Sequence, residues 1–117
     1  METVITLLLP KTISLNTLYA GKHWTYRKKI KDQYKKLVAV ELANYTPSTP
    51  NTYTIDIRYN SRLDVDNNVL VSKFVSDALV AFGFVIDDSP RYYKKLTIEF
   101  DGNVKRDYCE VEIRFMK

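Results

Sequence analysis

The sequence predicts a single α+β domain with the element order β-α-β-α-β-β, in which a mixed sheet packs against two helices. Three observations lead to this prediction. Apolar and polar residues alternate in three segments, which is typical of half-buried strands. One other segment repeats apolar residues at the helical period of 3.6, and a second is bounded by capping residues and a glycine, which indicate a helix. The chain has 117 residues, of which 45% are hydrophobic and 27% are charged, and this size and composition fit one globular domain covering residues 1–117.

The first half of the chain is predicted to hold a strand, a loop and the longer helix. Residues 3–9 are apolar on both faces, which favours a central strand. Residues 10–22 contain several breakers and are predicted to be a loop. Residues 23–44 are predicted to be an amphipathic helix, followed by a linker at 47–51. The apolar side of this helix is formed by Ile30, Tyr34, Leu37, Val38 and Leu42.

The second half is predicted to supply the shorter helix and three strands. Residues 53–59 alternate and indicate a half-buried strand. The helix is expected over roughly residues 68–82, with Asn67 or Asp66 as its N-cap and Gly83 in a left-handed conformation at its C-terminus. Alternation at 96–100 and 109–115 predicts the last two strands, joined by a hairpin at 101–103. Cys109 is then a chemically silent core residue.

The basic residues of the chain are concentrated in one region. The net charge is +4, and within fifteen positions seven basic residues accompany a single acid; they are Lys22, Arg27, Lys28, Lys29, Lys31, Lys35 and Lys36. A basic surface that surrounds a cluster of carboxylates, such as the one described next, is typical of a metal-dependent enzyme that acts on a polyanion. The alternative is that this helix face is simply solvated, which is the commoner role of an isolated lysine run.

The acidic cluster is formed by carboxylates at the ends of predicted elements. Asp64 and Asp66 follow the second strand, and Asp87 and Asp88 follow the second helix. Like charges held close together raise each other's pKa, so a divalent cation is the natural compensation, and Mg²⁺ favours such oxygen ligands. Lys73 lies seven residues after Asp66, on nearly the same helix face. Because the helix between the two pairs would be roughly 22 Å long, their convergence requires a shorter or tilted helix.

The same residues allow other interpretations. A calcium-binding loop is excluded because Val69 and Val75 occupy the positions that require glycine and glutamate. Asp64 and Asp66 could serve only in a turn and a cap. Lys73 and Asp77 could form a surface ion pair of little energy. One cysteine and one histidine cannot supply the four ligands of a structural zinc site, and a single cysteine suggests a reducing compartment.

The segment "DVDN", followed by "KFVSDAL" and then "GFVIDD", resembles the RusA family of Holliday junction resolvases, which are common in phages and prophages. The shared block covers residues 62–88, and a weaker similarity extends over the first strand, the loop with Asn16 and the basic helix. The mutual spacing of the family is kept at Lys73, Asp77, Gly83, Asp87 and Asp88. Here Lys73 lies further from Asp66 than in the family, with residues 68–70 as an apparent insertion of nearly one helical turn.

The resemblance implies a single RusA-like endonuclease domain that forms a homodimer, requires Mg²⁺ with Mn²⁺ as a substitute, and nicks four-way DNA junctions symmetrically. The essential carboxylates of the family match Asp64, Asp66 and Asp88, which would hold the metal, and its essential lysine matches Lys73. Contacts to branched DNA are expected from Asn16, Lys22, Arg27, Lys28, Lys31, Lys35, Lys36 and Arg62. The expected compartment is the cytoplasm of a bacterial or phage-infected cell, without membrane association. Two rival functions are a non-catalytic DNA-binding protein on the same fold and a nuclease for flaps or other branched DNA.

Overall fold

Six elements follow one another in the order predicted from the sequence. The computed structural model describes residues 2–11, 24–47, 52–62 and 68–116, without the side chains of Glu2, Trp24, Tyr26 and Arg27. The strands are β1 (Glu2–Pro10), β2 (Thr52–Asn60), β3 (Tyr93–Phe100) and β4 (Tyr108–Met116). The helices are α1 (Trp24–Leu42) and α2 (Val69–Ala81). The α+β class and the mixed four-stranded sheet with two helices are therefore confirmed.

The strands are arranged in the order β1-β4-β2-β3. β4 pairs antiparallel with both β1 and β2, whereas β2 and β3 are parallel and are connected through α2. Every second residue of β2 and β4 is buried, which places one face of the sheet against the helices. The core joins Leu7, Ile55 and Val111 from the sheet to Val38 of α1 and Val75 of α2, all fully buried. The opposite face carries ion pairs instead, such as those of Arg58 with Glu110 and Asp101.

The prediction of a central β1 is wrong, because β1 lies at an edge of the sheet. Its consecutive leucines make both faces apolar, but the helices cover only one of them. Ile5, Leu7 and Leu9 face the core, while Val4 and Leu8 remain more than two-fifths exposed. β4 takes a central position instead and pairs with β1 on one side and β2 on the other.

The predicted hairpin between β3 and β4 is also wrong, because β2 lies between these two strands. The connection at 101–107 instead crosses the end of β2. Asp101 N–H donates to Tyr59 O at 2.9 Å, and Asp107 N–H donates to Asn60 O at 2.6 Å. β3 is consequently the second edge strand, and its apolar residues are more exposed than alternation predicts. Phe100 is 58% exposed.

The ends and faces of the helices differ from the sequence-based prediction at three points. Leu37, predicted to face the core, is 42% exposed, so the apolar stripe of α1 is narrower than expected. The N-cap of α2 is Asn68 rather than Asn67 or Asp66, and its side chain makes no capping hydrogen bond. α2 has 13 residues and a length of about 20 Å, so it is shorter than the predicted helix of roughly 22 Å.

Candidate nucleic-acid interface and acidic site

The basic face of α1 is solvent-facing along most of its length. The side chains of Lys28, Lys31 and Lys36 are exposed, and Lys35 is half-buried. Lys28 Nζ lies 3.1 Å from Asp32 Oδ2, one helical turn further along. Lys35 Nζ lies 5.7 Å from the centre of the Phe82 ring, which joins this face to the end of α2. Shallow concavities of about 570 and 300 Å³ follow the lysines and are lined by them, so the face has room for a backbone of phosphates.

Lys73 belongs to the same surface. It lies on the exposed side of α2, with a side chain that is 65% exposed, and its Nζ is 3.9 Å from Asp77 Oδ1. The other oxygen of Asp77 lies 3.6 Å from Lys31 Nζ of α1. One carboxylate thus bridges the lysines of two helices. Exposed ion pairs of this kind contribute little to stability, so both lysines can exchange Asp77 for a phosphate at small cost.

Several of the predicted DNA contacts lie outside the described residues. These are Asn16 and Lys22, together with the side chain of Arg27, whose backbone lies in α1. Arg62 is described and exposed, two residues beyond the end of β2. It is therefore at the end of the sheet rather than on the α1 surface.

Asp87 and Asp88 have different surroundings despite being neighbours. Asp87 Oδ1 accepts hydrogen bonds from the backbone N–H groups of Asp88 at 2.7 Å and Ser89 at 3.3 Å, so this carboxylate closes a turn. Within the described residues the Asp88 carboxylate accepts no hydrogen bond, and the residue is exposed. Asp88, the residue matched to the family's third carboxylate, is the one with a carboxylate available for a ligand.

The chain turns back directly after α2, which affects the position of Asp88. Gly83 has a φ of 80°, as predicted for the left-handed C-terminal position. Its N–H donates to Val80 O at 3.2 Å, and Phe84 N–H donates to Leu79 O at 2.8 Å, the paired pattern of a Schellman motif. This reversal and the short α2 reduce the distance that the chain must cover between Asp88 and the start of the helix.

Two stacked tyrosines, Tyr53 buried and Tyr93 half-buried, lie beneath α2. Tyr53 and Tyr93 stack with ring centres 4.7 Å apart, and the Tyr53 hydroxyl lies 3.0 Å from Ser76 Oγ of α2. Burial raises the pKa of Tyr93, the neighbouring Tyr53 adds to this, Ser72 opposes it, and Asp88 raises it further. Burial likewise raises the pKa of Tyr53, where Ser76 opposes the shift and Asp88 and Asp87 add to it.

The proposed three-carboxylate site remains a prediction. Asp64 and Asp66 lie in the segment 63–67, outside the described residues. Among the residues that the structure does describe, no group of three His, Cys, Asp or Glu side chains could hold a metal ion. Asp88 offers a hard oxygen ligand of the kind that Mg²⁺ prefers.

Asn68 anchors the chain directly after the segment 63–67, a role that was not predicted from the sequence. It is fully buried, and its Oδ1 lies 3.9 Å from Cys109 Sγ of β4. Burial raises the pKa of Cys109 to about 11, so the thiol stays protonated at neutral pH. The sequence-based prediction placed the cap at Asn67 or Asp66 and assigned Asn68 only to the start of the helix, so the burial of Asn68 against β4 was not anticipated.

Sequence reasoning also missed Lys11, Phe100 and Arg106, which line a pocket with Arg62 at the end of β2. Lys11, Arg62 and Arg106 come from three separate connections and Phe100 ends β3, and nothing in their local sequence links them.

A scan against models of known protein families finds no match for this chain, and a search of curated proteins finds no significant match. In the described parts of the chain, neither helix has the length and apolar character needed to cross a membrane. Membership of the RusA family therefore stays a prediction from the resemblance of the residues.

Proposed function

We propose that this protein is a Mg²⁺-dependent, structure-specific endodeoxyribonuclease that resolves four-way DNA junctions by paired symmetric nicks during recombination and repair. The observation that carries the proposal is the contact of both Lys31 and Lys73 with Asp77. It puts the lysine matched to the family's essential lysine on the same surface as the lysines expected to bind DNA. Since junction DNA is intracellular, the proposed location is the cytoplasm of a bacterial or phage-infected cell.

The lysines of α1 are proposed to bind the phosphate backbone. They are spread along an exposed helix face, and such contacts neutralise phosphates without reading base sequence. Binding would therefore respond strongly to salt and would follow the shape of the branched DNA.

The carboxylates Asp64, Asp66 and Asp88 are proposed to hold the metal ion, and Lys73 to stabilise negative charge on a phosphate oxygen during cleavage. When bound, Mg²⁺ supplies charge neutralisation at the phosphodiester and lowers the pKa of a water molecule. The exposed Asp88 carboxylate fits this role, because the neighbouring Asp87 already satisfies the backbone of the turn.

The test uses the purified chain with a labelled four-way junction and a linear duplex of matched sequence, each with Mg²⁺ or with chelator. We expect symmetric nicks in the junction only, and only with Mg²⁺. Asp64→Asn and Asp66→Asn should abolish cleavage while junction binding survives or tightens, because each change removes a ligand charge and also relieves repulsion with phosphate.

The possible failures of this test separate the rival functions. Tight junction binding without cleavage by the wild-type protein would indicate a non-catalytic DNA-binding protein. Single nicks in flaps, with intact junctions, would indicate a nuclease for other branched DNA. If Asp64→Asn, Asp66→Asn and Asp88→Asn each cleave the junction at the wild-type rate, the proposed mechanism is excluded.

A further inference from the structure

A pocket of about 650 Å³ lies at the end of the sheet where β2 stops. We call it the sheet-end pocket; its lining residues are Lys11, Asn60, Ser61, Arg62, Phe100, Arg106 and Asp107. Its volume is in the range of about 300–1,000 Å³ that small-molecule sites occupy. The pocket is separate from the lysine face of α1, and none of its residues lies on a helix.

Backbone hydrogen bonds hold the walls of this pocket in place. Lys11 N–H, just after β1, donates to Asp107 O at 2.9 Å, and Asp107 N–H donates to Asn60 O at 2.6 Å. The Asn60 side chain in turn donates to Val104 O at 2.8 Å. Asp107 adopts a φ of 66°, a conformation that non-glycine residues rarely take unless their surroundings enforce it. The three connections that form the walls are thus tied together before any ligand binds.

The charge of the pocket is positive. Three cations, Lys11, Arg62 and Arg106, face one carboxylate, Asp107, and Lys11 Nζ is already paired with that carboxylate at 3.3 Å. Within the described residues neither arginine forms an ion pair, and both are exposed. Two guanidinium groups that line one pocket are suited to a phosphate, because each guanidinium can donate two parallel N–H groups to phosphate oxygens. Ser61 adds a hydroxyl that has no hydrogen-bond partner in the described part of the chain.

The pocket also contains an exposed aromatic ring. Phe100 is 58% exposed, although it ends an apolar strand. Its ring meets Tyr59 edge to face, with centres 5.8 Å apart and planes at 82°, so its orientation is set by a buried neighbour. An exposed aromatic ring beside cations is the arrangement with which proteins bind single-stranded nucleic acid, because any base can stack on the ring.

We propose that the sheet-end pocket holds one unstacked nucleotide of the DNA substrate, with its phosphate on Arg62 and Arg106 and its base on Phe100. This inference rests on the proposed function to the extent that DNA is the substrate. Arg62 is two residues before Asp64 in the chain, so the pocket is linked to the segment that carries the predicted metal ligands. Branch points of junctions expose nucleotides that ordinary duplex keeps stacked, so the pocket would favour branched over linear DNA.

The test measures binding of the full chain to fluorescent oligonucleotides by anisotropy, with chelator present so that no cleavage occurs. The probes are a short single strand, the same strand with abasic residues at its centre, and the matched duplex. The variants are Arg106→Gln and Phe100→Leu. Lys105→Gln is the matched control, because Lys105 is adjacent and exposed but lies over the Tyr108 ring, at 4.3 Å, and not in the pocket.

Phe100→Leu is expected to weaken binding of the single strand by about tenfold while leaving the abasic strand and the duplex unchanged, since only the stacked base is lost. Arg106→Gln is expected to weaken binding of both single strands and to lower their salt slope by about one unit, while the duplex, whose nucleotides stay stacked outside the pocket, is little affected. Lys105→Gln should leave the affinity of the single strand within about twofold of wild type.

Two outcomes would overturn the proposal. If Phe100→Leu weakens the abasic and intact strands equally, no base is stacked on it. If Arg106→Gln behaves like Lys105→Gln, the pocket holds no phosphate. Binding and junction cleavage are measured separately, so the two proposals can fail independently. A protein that cuts junctions but shows neither variant effect refutes the pocket alone, and one that shows both effects without cutting refutes the nuclease alone.

Discussion

At the scale of single residues, burial decides the chemistry of the polar side chains beneath the helices. Cys109 is fully buried in the core, as predicted, and its pKa is raised to about 11 by that burial. Burial also raises the pKa of Tyr34, whose hydroxyl lies 3.0 Å from Pro10 O, and that of the stacked pair Tyr53 and Tyr93. All four groups are neutral in the folded protein at physiological pH.

This predicts that stability is lost on the alkaline side. Each raised pKa favours the protonated form in the folded state, so its contribution is complete below the unfolded values of 9.0 for cysteine and 10.0 for tyrosine. The contribution then decreases as pH rises through the folded pKa. Melting temperatures measured by circular dichroism from pH 7 to pH 11 should be steady at first and then fall above about pH 9.

Cys109→Val separates the cysteine from the tyrosines. The variant should lose the part of the decline that begins near pH 9 and keep the part that begins near pH 10. In the wild type, Cys109 should not react with a thiol reagent at pH 8 until the chain is unfolded. A melting temperature that stays constant up to pH 11 would contradict this account.

The two neighbouring aspartates give a matched pair of variants. Asp88→Asn is expected to lower Mg²⁺-dependent junction cleavage at least about a hundredfold, because it removes a ligand charge. Asp87→Asn keeps the oxygen that accepts the two backbone hydrogen bonds, so it should leave both cleavage and melting temperature close to wild type. Equal losses in both variants, measured as initial rates, would mean that the turn and not the Asp88 carboxylate matters.

At the scale of elements, the two helices form one layer whose exposed side is basic. The ion pairs of Asp77 join α1 to α2, and Lys35 packs over Phe82 at the end of α2. The lysines therefore form a surface that continues from one helix to the other.

Replacing two of these lysines should affect DNA binding without regard to sequence. Lys28→Gln together with Lys36→Gln should weaken binding to every DNA tested and reduce the slope of log affinity against log salt by roughly two units. Lys94→Gln with Lys95→Gln is the control, because it removes the same charge from exposed positions on β3. An identical salt slope in the two double variants would mean that the α1 face is only solvated.

The end of α2 depends on the conformation of Gly83. Its φ of 80° is costly for any residue with a Cβ, although nothing lies within 4 Å of the position that a Cβ would take. Gly83→Ala should therefore destabilise the protein by about 1 kcal/mol through backbone strain alone. Gly102→Ala is the control, since its Cβ would make an ordinary 3.8 Å contact with Phe100 and its φ is not positive. Urea unfolding should show no such loss in the control.

At the scale of the whole molecule, resolution of a junction requires two equivalent active sites, and a two-fold dimer supplies them. Tyr92 and Tyr93 are aromatic residues that a dimer interface could use, but they pack against the monomer's own core. The side chain of Trp24, the third such residue, lies outside the described part. The two edge strands offer other exposed apolar residues, namely Val4 and Leu8 on β1 and Leu96 on β3.

We predict a homodimer at micromolar concentration that places paired nicks symmetrically across the junction. Light scattering of the free protein and of its junction complex should give two chains in each case. A monomer in both states would refute the dimer and would favour an enzyme that makes single nicks in branched DNA.

The sequence by itself determined the order of the elements and the conformation of single positions. Alternation in β2 and β4 and the helical period in α1 report most of the side chains that are buried, because burial acts on each residue locally. The left-handed conformation of Gly83 was predictable for a similar reason. Its φ of 80° depends only on its place at the C-terminus of one helix. The grouping of Asp64, Asp66 and Asp88 as metal ligands remains a prediction, because it depends on the positions of residues far apart in the chain.

Only the tertiary structure decided which strands are neighbours. β1 looked central because both faces are apolar, and β3 and β4 looked like a hairpin because a turn separates them. Strand pairing depends on how the whole sheet covers the core, and no local pattern encodes it. The sheet-end pocket has the same origin. Lys11, Arg62 and Arg106 come together only because the connection after β3 crosses the end of β2 to reach β4, and the backbone hydrogen bonds of Asp107 tie that crossing to β1 and β2.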